Sequence, residues 1–137
     1  MTLDASVWIA GLDMADRFHL DSVHFFSVAT MQGWSLFAPT FALVEVGCAV
    51  ARRKGDGEHG RRALERIRSW SQLTLVEATR YLPDPAAEVG ISCLLRGSDA
   101  TYAATARVTG TRLVTWDREL IERAGGMTPT DWLAANP

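Results

Sequence analysis

The sequence predicts an α/β fold, a parallel sheet with helices on both faces, in a single domain spanning residues 1–137. Three observations carry this expectation. Short apolar runs alternate with segments of helical periodicity along the whole chain, the pattern of strands joined by crossover helices. The chain has 137 residues, 47% of them hydrophobic, which suits one buried core and is too apolar for disorder. No internal repeat, low-complexity segment or linker divides it.

Residues 1–3 read as a strand that ends at Asp4, and residues 5–10 as a short helix. Asp4 then stands at the carboxyl end of the strand; the alternative is that it only caps the helix. Residues 11–20 are polar and mixed, as in a loop. Residues 22–32 form a helix with Val23, Phe26 and Ala29 as its inner stripe and Gly33 as its stop. Residues 34–38 make a second strand, broken by Pro39. Thr40 caps a helix over 41–51 in which ten of eleven residues are apolar or glycine, so this helix is expected to be buried all round. Residues 52–60 form a charged turn, and 61–72 a fourth helix with Leu64, Ile67 and Trp70 or Ser71 inward. Residues 73–76 are a third strand, from which Glu77 to Arg80 lead out. Pro83-Asp84-Pro85 opens a fifth helix running through Leu95, with Ala87, Ile91 and Leu94 inward.

The stretch from Gly97 to Asp117 organises the rest. Ser98 is the expected N-cap of a helix, and Gly110 lies just past its end. Tyr102, Ala103 and Ala106 form its apolar stripe, and Asp99 heads that same stripe, pointing a carboxylate inward. Residues 113–116 read as a buried strand ended by Asp117. A short helix over 118–124 follows, which Asp117 caps on the plainer reading, and Gly125-Gly126 stops it. Residues 127–130 add a fifth short strand, and Thr130 caps a last turn through Trp132 and Leu133.

Four carboxylates stand out against this frame. Asp4 and Asp117 each end a strand, and in an open parallel sheet ligands bind beyond the carboxyl ends of strands where the strand order reverses. Asp99 belongs near that same edge. Glu45 is the one charge on the apolar helix, and a buried lone carboxylate there reads either as an ion pair with one arginine or as a metal ligand or catalytic acid. Several carboxylates close together cannot all ionise without a cation. Oxygen-only ligation suits Mg²⁺ or Mn²⁺ rather than zinc, and such a site can activate water and neutralise charge on a phosphodiester.

The order Asp4 (in Leu3-Asp4-Ala5-Ser6), Glu45 on an apolar helix, Asp99 (in Ser98-Asp99-Ala100-Thr101-Tyr102-Ala103-Ala104) and Asp117 (in Leu113-Val114-Thr115-Trp116-Asp117) resembles the PIN-domain nucleases. Within them it is most similar to the VapC-like ribonuclease toxins of toxin–antitoxin pairs. The resemblance implies a three-layer α/β/α fold with a five-stranded parallel sheet. It also implies Mg²⁺- or Mn²⁺-dependent cleavage of RNA by a metal-bound water, leaving a 5′-phosphate. Asp4, Glu45, Asp99 and Asp117 map onto the family's acidic positions: Asp4, Asp99 and Asp117 as metal ligands, Glu45 holding a second ion or orienting the water. Ser6 and Thr115 match small hydroxyl positions beside the site, whose plainer role is local hydrogen bonding. A cognate antitoxin that blocks the acids and a homodimer are the implied partners. The opposing class is a catalytically silent module binding RNA or a protein through the same groove.

Composition narrows the alternatives. Net charge is −2, so the chain is no polycation, yet Arg52, Arg53, Lys54, Arg61, Arg62, Arg66 and Arg68 are seven of its 14 bases. This basic stretch, 52–68, is either a contact for RNA or an acidic partner, or a solvated helix face. No G-x-x-x-x-G-K-[ST] loop occurs and Lys54 is the only lysine, which weakens an enzyme of small phosphates. His19, His24 and His59 have neither zinc-ligand spacing nor the arrangement of an acid–base pair. Cys48 and Cys93 are expected to be buried as small hydrophobes. No signal-peptide pattern or membrane-spanning run is present, so the expected location is cytoplasmic.

Overall fold

The computed structural model describes residues 1–137, the Thr79 side chain excepted. Four strands, β1 (Thr2–Leu3), β2 (Leu36–Pro39), β3 (Leu73–Val76) and β4 (Leu113–Val114), form one sheet in the order β3-β2-β1-β4. Every pairing is parallel, with Thr2 opposite both Phe37 and Leu113. The chain steps outward from β1 to β2 to β3 and then returns to the other side of β1, so the strand order reverses between β1 and β4. Both faces of the central strands are covered: Thr2, Leu3, Leu36 and Val114 are each 0% exposed, as parallel strands between helices require.

The expected fifth strand shrinks to a single bridge. Met127 pairs with Val114, donating to Leu113 O at 3.0 Å and accepting from Thr115 N at 2.9 Å. Pro129 then opens the last helix, so the extended backbone ends after one residue.

The helices flank this sheet. They are α1 (Ala5–Leu12), α2 (His19–Met31), α3 (Phe41–Lys54), α4 (Gly57–Arg68), α5 (Ala78–Tyr81), α6 (Pro83–Cys93), α7 (Gly97–Val108), α8 (Arg118–Ala124) and α9 (Pro129–Ala135). Asp4 caps α1 and Asp117 caps α8 through their side chains. Among the described residues no helix is long and apolar enough to cross a membrane.

Several sequence expectations need correction, each for a packing reason. Helix α3 is not buried all round: Ala42, Val46, Gly47 and Val50 face inward, while Phe41, Val44 and Cys48, at spacing three and four, face out. Cys48 is therefore exposed, and Cys93 is only partly covered. Helix α4 starts at Gly57, four residues early, because Asp56 caps it by accepting from Glu58 N at 2.9 Å. Its approach to α3 is close: a Cβ at Gly60 would lie 2.6 Å from Gly47 O.

In α6 the inward residue is Val89, whereas Ala87 is exposed and Ile91 and Leu94 are 74% and 75% exposed. The helix phase follows Gly90, which sits tightly over Ala100 of α7, and α6 ends at Cys93 with Leu94 left-handed at φ 54°. In α2, Val23 is exposed, and Ser22, Phe25, Phe26 and Ala29 are buried. Arg96, not Ser98, precedes α7 at the cap position, and Thr128, not Thr130, caps α9.

Candidate active site

A cleft of about 720 Å³ opens beyond the carboxyl ends of β1 and β4, at the reversal of strand order. Asp4, Glu45, Asp99 and Asp117 all line it. Asp4 arrives on the backbone directly after β1, whose Asp4 N–H donates to Val114 O at 3.1 Å and so sets it beside β4. Asp117 follows β4 by three residues. Asp99 stands in the first turn of α7 on the stripe continued by Tyr102, Ala103 and Ala106, all buried as expected. Glu45 reaches in from α3.

Two hydroxyls tie the aspartates together. Thr115 Oγ1 donates to Asp4 Oδ2 at 2.9 Å and accepts from Asp117 N at 2.8 Å. Ser6 Oγ donates to Asp4 Oδ2 at 2.5 Å and accepts from Trp116 N at 3.0 Å. Ser6 N also donates to Oδ2, at 3.1 Å. Among the described residues Asp4 Oδ1 takes no side-chain hydrogen bond.

Glu45 is half-buried, and its partner is a hydroxyl rather than the arginine one reading anticipated: Tyr102 Oη donates to Glu45 Oε2 at 2.5 Å. Burial pushes the Asp4 carboxyl above its usual range, against the pull of the Ser6 and Thr115 bonds. Burial raises Glu45 as well; the Tyr102 bond opposes this, and the charges of Asp4 and Asp99 add to it. Tyr102 is held firmly neutral by burial beside these acids. The carboxylates therefore feel one another.

Part of that negative charge is met by Arg96. Its guanidinium lies 3.0 Å from Asp99 Oδ2, 3.8 Å from Asp117 Oδ2 and 3.4 Å from Glu119 Oε2. Among the described residues no three histidine, cysteine or acidic side chains form a ready-made metal cage. The donor set nonetheless fits a hard divalent ion. It is all oxygen, it faces an open cleft, and Mg²⁺ commonly keeps several waters while using one or two carboxylates. A cationic side chain between Asp99 and Asp117 marks where positive charge is favoured.

Sequence reading missed Tyr102 as a partner, treating it as core; its position three residues after Asp99, on the same helix face, was the available signal. It also passed over Arg96, three residues before Asp99, and over Arg17, Phe18 and Trp116 on the cleft wall. The basic stretch divides. Arg53 lines the cleft and pairs with Asp16 at 2.9 Å and Asp13 at 3.3 Å, and Lys54 pairs with Asp13 at 2.6 Å. Arg61 pairs with Glu58 on the exposed face of α4.

A PIN-domain family model matches residues 1–126. No curated protein matches the chain by sequence. Solved structures share the fold. PAE2754 from Pyrobaculum aerophilum is 24% identical with a TM-score of 0.71, over 98% of this chain and 86% of that one. The Mycobacterium tuberculosis sarcin-ricin loop cleaving toxin VapC20 is 18% identical with a TM-score of 0.68, over 98% and 94%. FitAcB from Neisseria gonorrhoeae is 15% identical with a TM-score of 0.70, over 94% and 97%.

Proposed function

Since the chain belongs to the PIN-domain family, we propose that it is a metal-dependent endoribonuclease, the toxin of a type II toxin–antitoxin pair acting in the cytoplasm. The observation that carries this reading is the meeting of Asp4, Glu45, Asp99 and Asp117 on one cleft at the reversal of strand order. The structural likeness to a ribonucleolytic toxin supports it.

Asp4, Asp99 and Asp117 would hold Mg²⁺ or Mn²⁺, with Glu45 beside them. Such an ion, when bound, lowers the pKa of a water and neutralises charge on a phosphodiester. Ser6 and Thr115 fix Asp4 through Oδ2, which orients the carboxylate. Tyr102 fixes Glu45 through Oε2, and the raised proton affinity of Glu45 suits it to take a proton from an attacking water. Hydrolysis would leave a 5′-phosphate.

The antitoxin reading draws support from an apolar groove of about 240 Å³ lined by Trp8, Leu12, Val23, Phe26 and Trp70. The exposed Phe41 and Val44 on α3 supply apolar surface for a homodimer.

The test is incubation of the purified chain with mixed RNA, Mg²⁺ or EDTA. Cleavage that EDTA abolishes and Mn²⁺ or Mg²⁺ restores is the expected result. Intact folding with no cleavage of any RNA favours the second reading, a silent binding module. The pairing of Arg96 with Asp99 and Asp117 lends that alternative its weight, since an internal cation already serves these acids.

A further inference from the structure

On the wall of the acidic cleft, the rings of Phe18 and Trp116 stack with centroids 4.1 Å apart and planes inclined by 1°. Trp116 is held from two sides: its Nε1 donates to Ser22 Oγ at 2.8 Å and its backbone N to Ser6 Oγ at 3.0 Å. The guanidinium carbon of Arg17 lies 4.4 Å from the Phe18 centroid. An indole and a guanidinium this close cannot share one face of the ring without overlapping. Phe18 is thus backed by Trp116 and covered by Arg17.

These three residues line the same cleft as the four acids. Arg53 and Arg96, the other arginines of the cleft, are committed to carboxylates. Arg17 is exposed and makes no ion pair among the described residues. What holds it is an aromatic face alone, a weak attachment at an exposed site. A fixed aromatic platform under a displaceable arginine plane is the chemistry that receives a splayed-out base: each base has a π-face, and a guanidinium stacks on it while carrying charge for a neighbouring phosphate. Bases within a duplex are already stacked and cannot enter. Trp116 adjoins Asp117 in sequence and shares Ser6 with Asp4, so a base at this platform belongs to a nucleotide close to the acids.

We propose that the Arg17–Phe18–Trp116 stack is the subsite for one unpaired base of the RNA strand, the base inserting on Phe18 under the Arg17 guanidinium. The identity of the strand as RNA rests on the ribonuclease reading above.

The experiment measures anisotropy of a labelled twelve-nucleotide single-stranded RNA, alone or annealed to its complement, with Ca²⁺ replacing Mg²⁺ to slow cleavage. Phe18→Ala is expected to weaken single-strand binding about 5- to 150-fold, the range for one base–aromatic stack. Phe18→Tyr, which keeps the ring, should stay within about twofold, and Arg17→Ala should lose about 2- to 30-fold. Scanning an abasic nucleotide along the strand should reveal one position whose loss weakens the wild-type protein and not Phe18→Ala. That coupling would not arise from a merely structural phenylalanine, and the wild-type scan and exposed Arg17→Ala remain informative if Phe18→Ala is poorly folded. Strand binding by folded Phe18→Ala and Arg17→Ala equal to wild type overturns the subsite, as does preference for the duplex. Phe18-dependent binding without any Mg²⁺-dependent cleavage keeps the subsite and removes the nuclease reading; cleavage indifferent to both substitutions does the reverse.

Discussion

Tyr102 donates its hydroxyl to Glu45 Oε2 at 2.5 Å, joining α7 to α3 at the acid that α3 contributes to the cleft. This bond opposes the burial that raises the Glu45 pKa. Tyr102→Phe removes the opposition while keeping the ring, so the Glu45 carboxyl should bind its proton more tightly still. The acid limb of the pH–rate profile for RNA cleavage is expected to move to higher pH, with a stability loss of about 0.5–1.5 kcal/mol in urea unfolding. An unmoved limb would show that Glu45 does not govern it.

Asp4 should make the metal-free protein less stable as pH rises. Burial lifts its folded pKa above the unfolded value, so the native state binds more protons between those two pKa values. The stability it contributes is complete below the ordinary aspartate pKa and is lost as pH rises through the folded one. Asp4→Asn removes the ionisation and should raise the stability of the metal-free chain, at pH values above the folded Asp4 pKa, by about 1–2 kcal/mol. Thermal melts across pH check this. Mg²⁺ should stabilise the wild type and not the variant, and cleavage by the variant should be lost. A wild-type melting temperature that climbs steadily with pH would contradict the assignment.

Arg96 competes for the acids that would hold the ion. Its charge sits against Asp99, Asp117 and Glu119, yet its side chain is 70% exposed, so these pairs add little to folding. Arg96→Gln should leave the melting temperature nearly unchanged and tighten Mn²⁺ binding, read by calorimetry, about threefold to tenfold, the effect of removing one neighbouring positive charge. Unchanged or weaker Mn²⁺ binding would place the ion away from Asp99 and Asp117.

The α3–α4 hairpin rests on an absent side chain. Gly60→Ala sets a methyl 2.6 Å from Gly47 O, a backbone atom that cannot swing aside. The expected cost is about 1–3 kcal/mol. Gly57→Ala, whose nearest new contact is the mobile Arg61 guanidinium at 3.6 Å, should be neutral or stabilising. Urea unfolding of the two variants separates a steric effect from a general effect of helix composition.

Much of the fold could be read from local pattern. The alternation of strands and helices, the position of Asp4 at the end of β1, the stripe from Asp99 to Ala106, and the αL glycine at 110 are all set by neighbours within one turn or one strand, whereas β4 ends at Val114, three residues before Asp117 rather than at it. The errors lie where a helix chooses which face to bury. In α6 the choice went to Val89 because Gly90 lets α7 come close, and in α3 the outward stripe of Phe41, Val44 and Cys48 is as apolar as the inward one, so periodicity carried no sign.

The candidate site divides in the same way. The identity and order of the four acids were present in the chain itself, because carboxylates in apolar settings are conspicuous without any structure. Their surroundings were not. Tyr102 on Glu45, Thr115 between Asp4 and Asp117, Arg96 against two aspartates and the stack of Phe18 on Trp116 all depend on how separate elements pack. By itself the sequence determined which charges this protein must accommodate and on which kinds of element they ride. Only the tertiary structure decided which partners they meet, since contacts between residues up to 111 positions apart arise from the strand order β3-β2-β1-β4 and from helix rotation, neither of which local periodicity encodes.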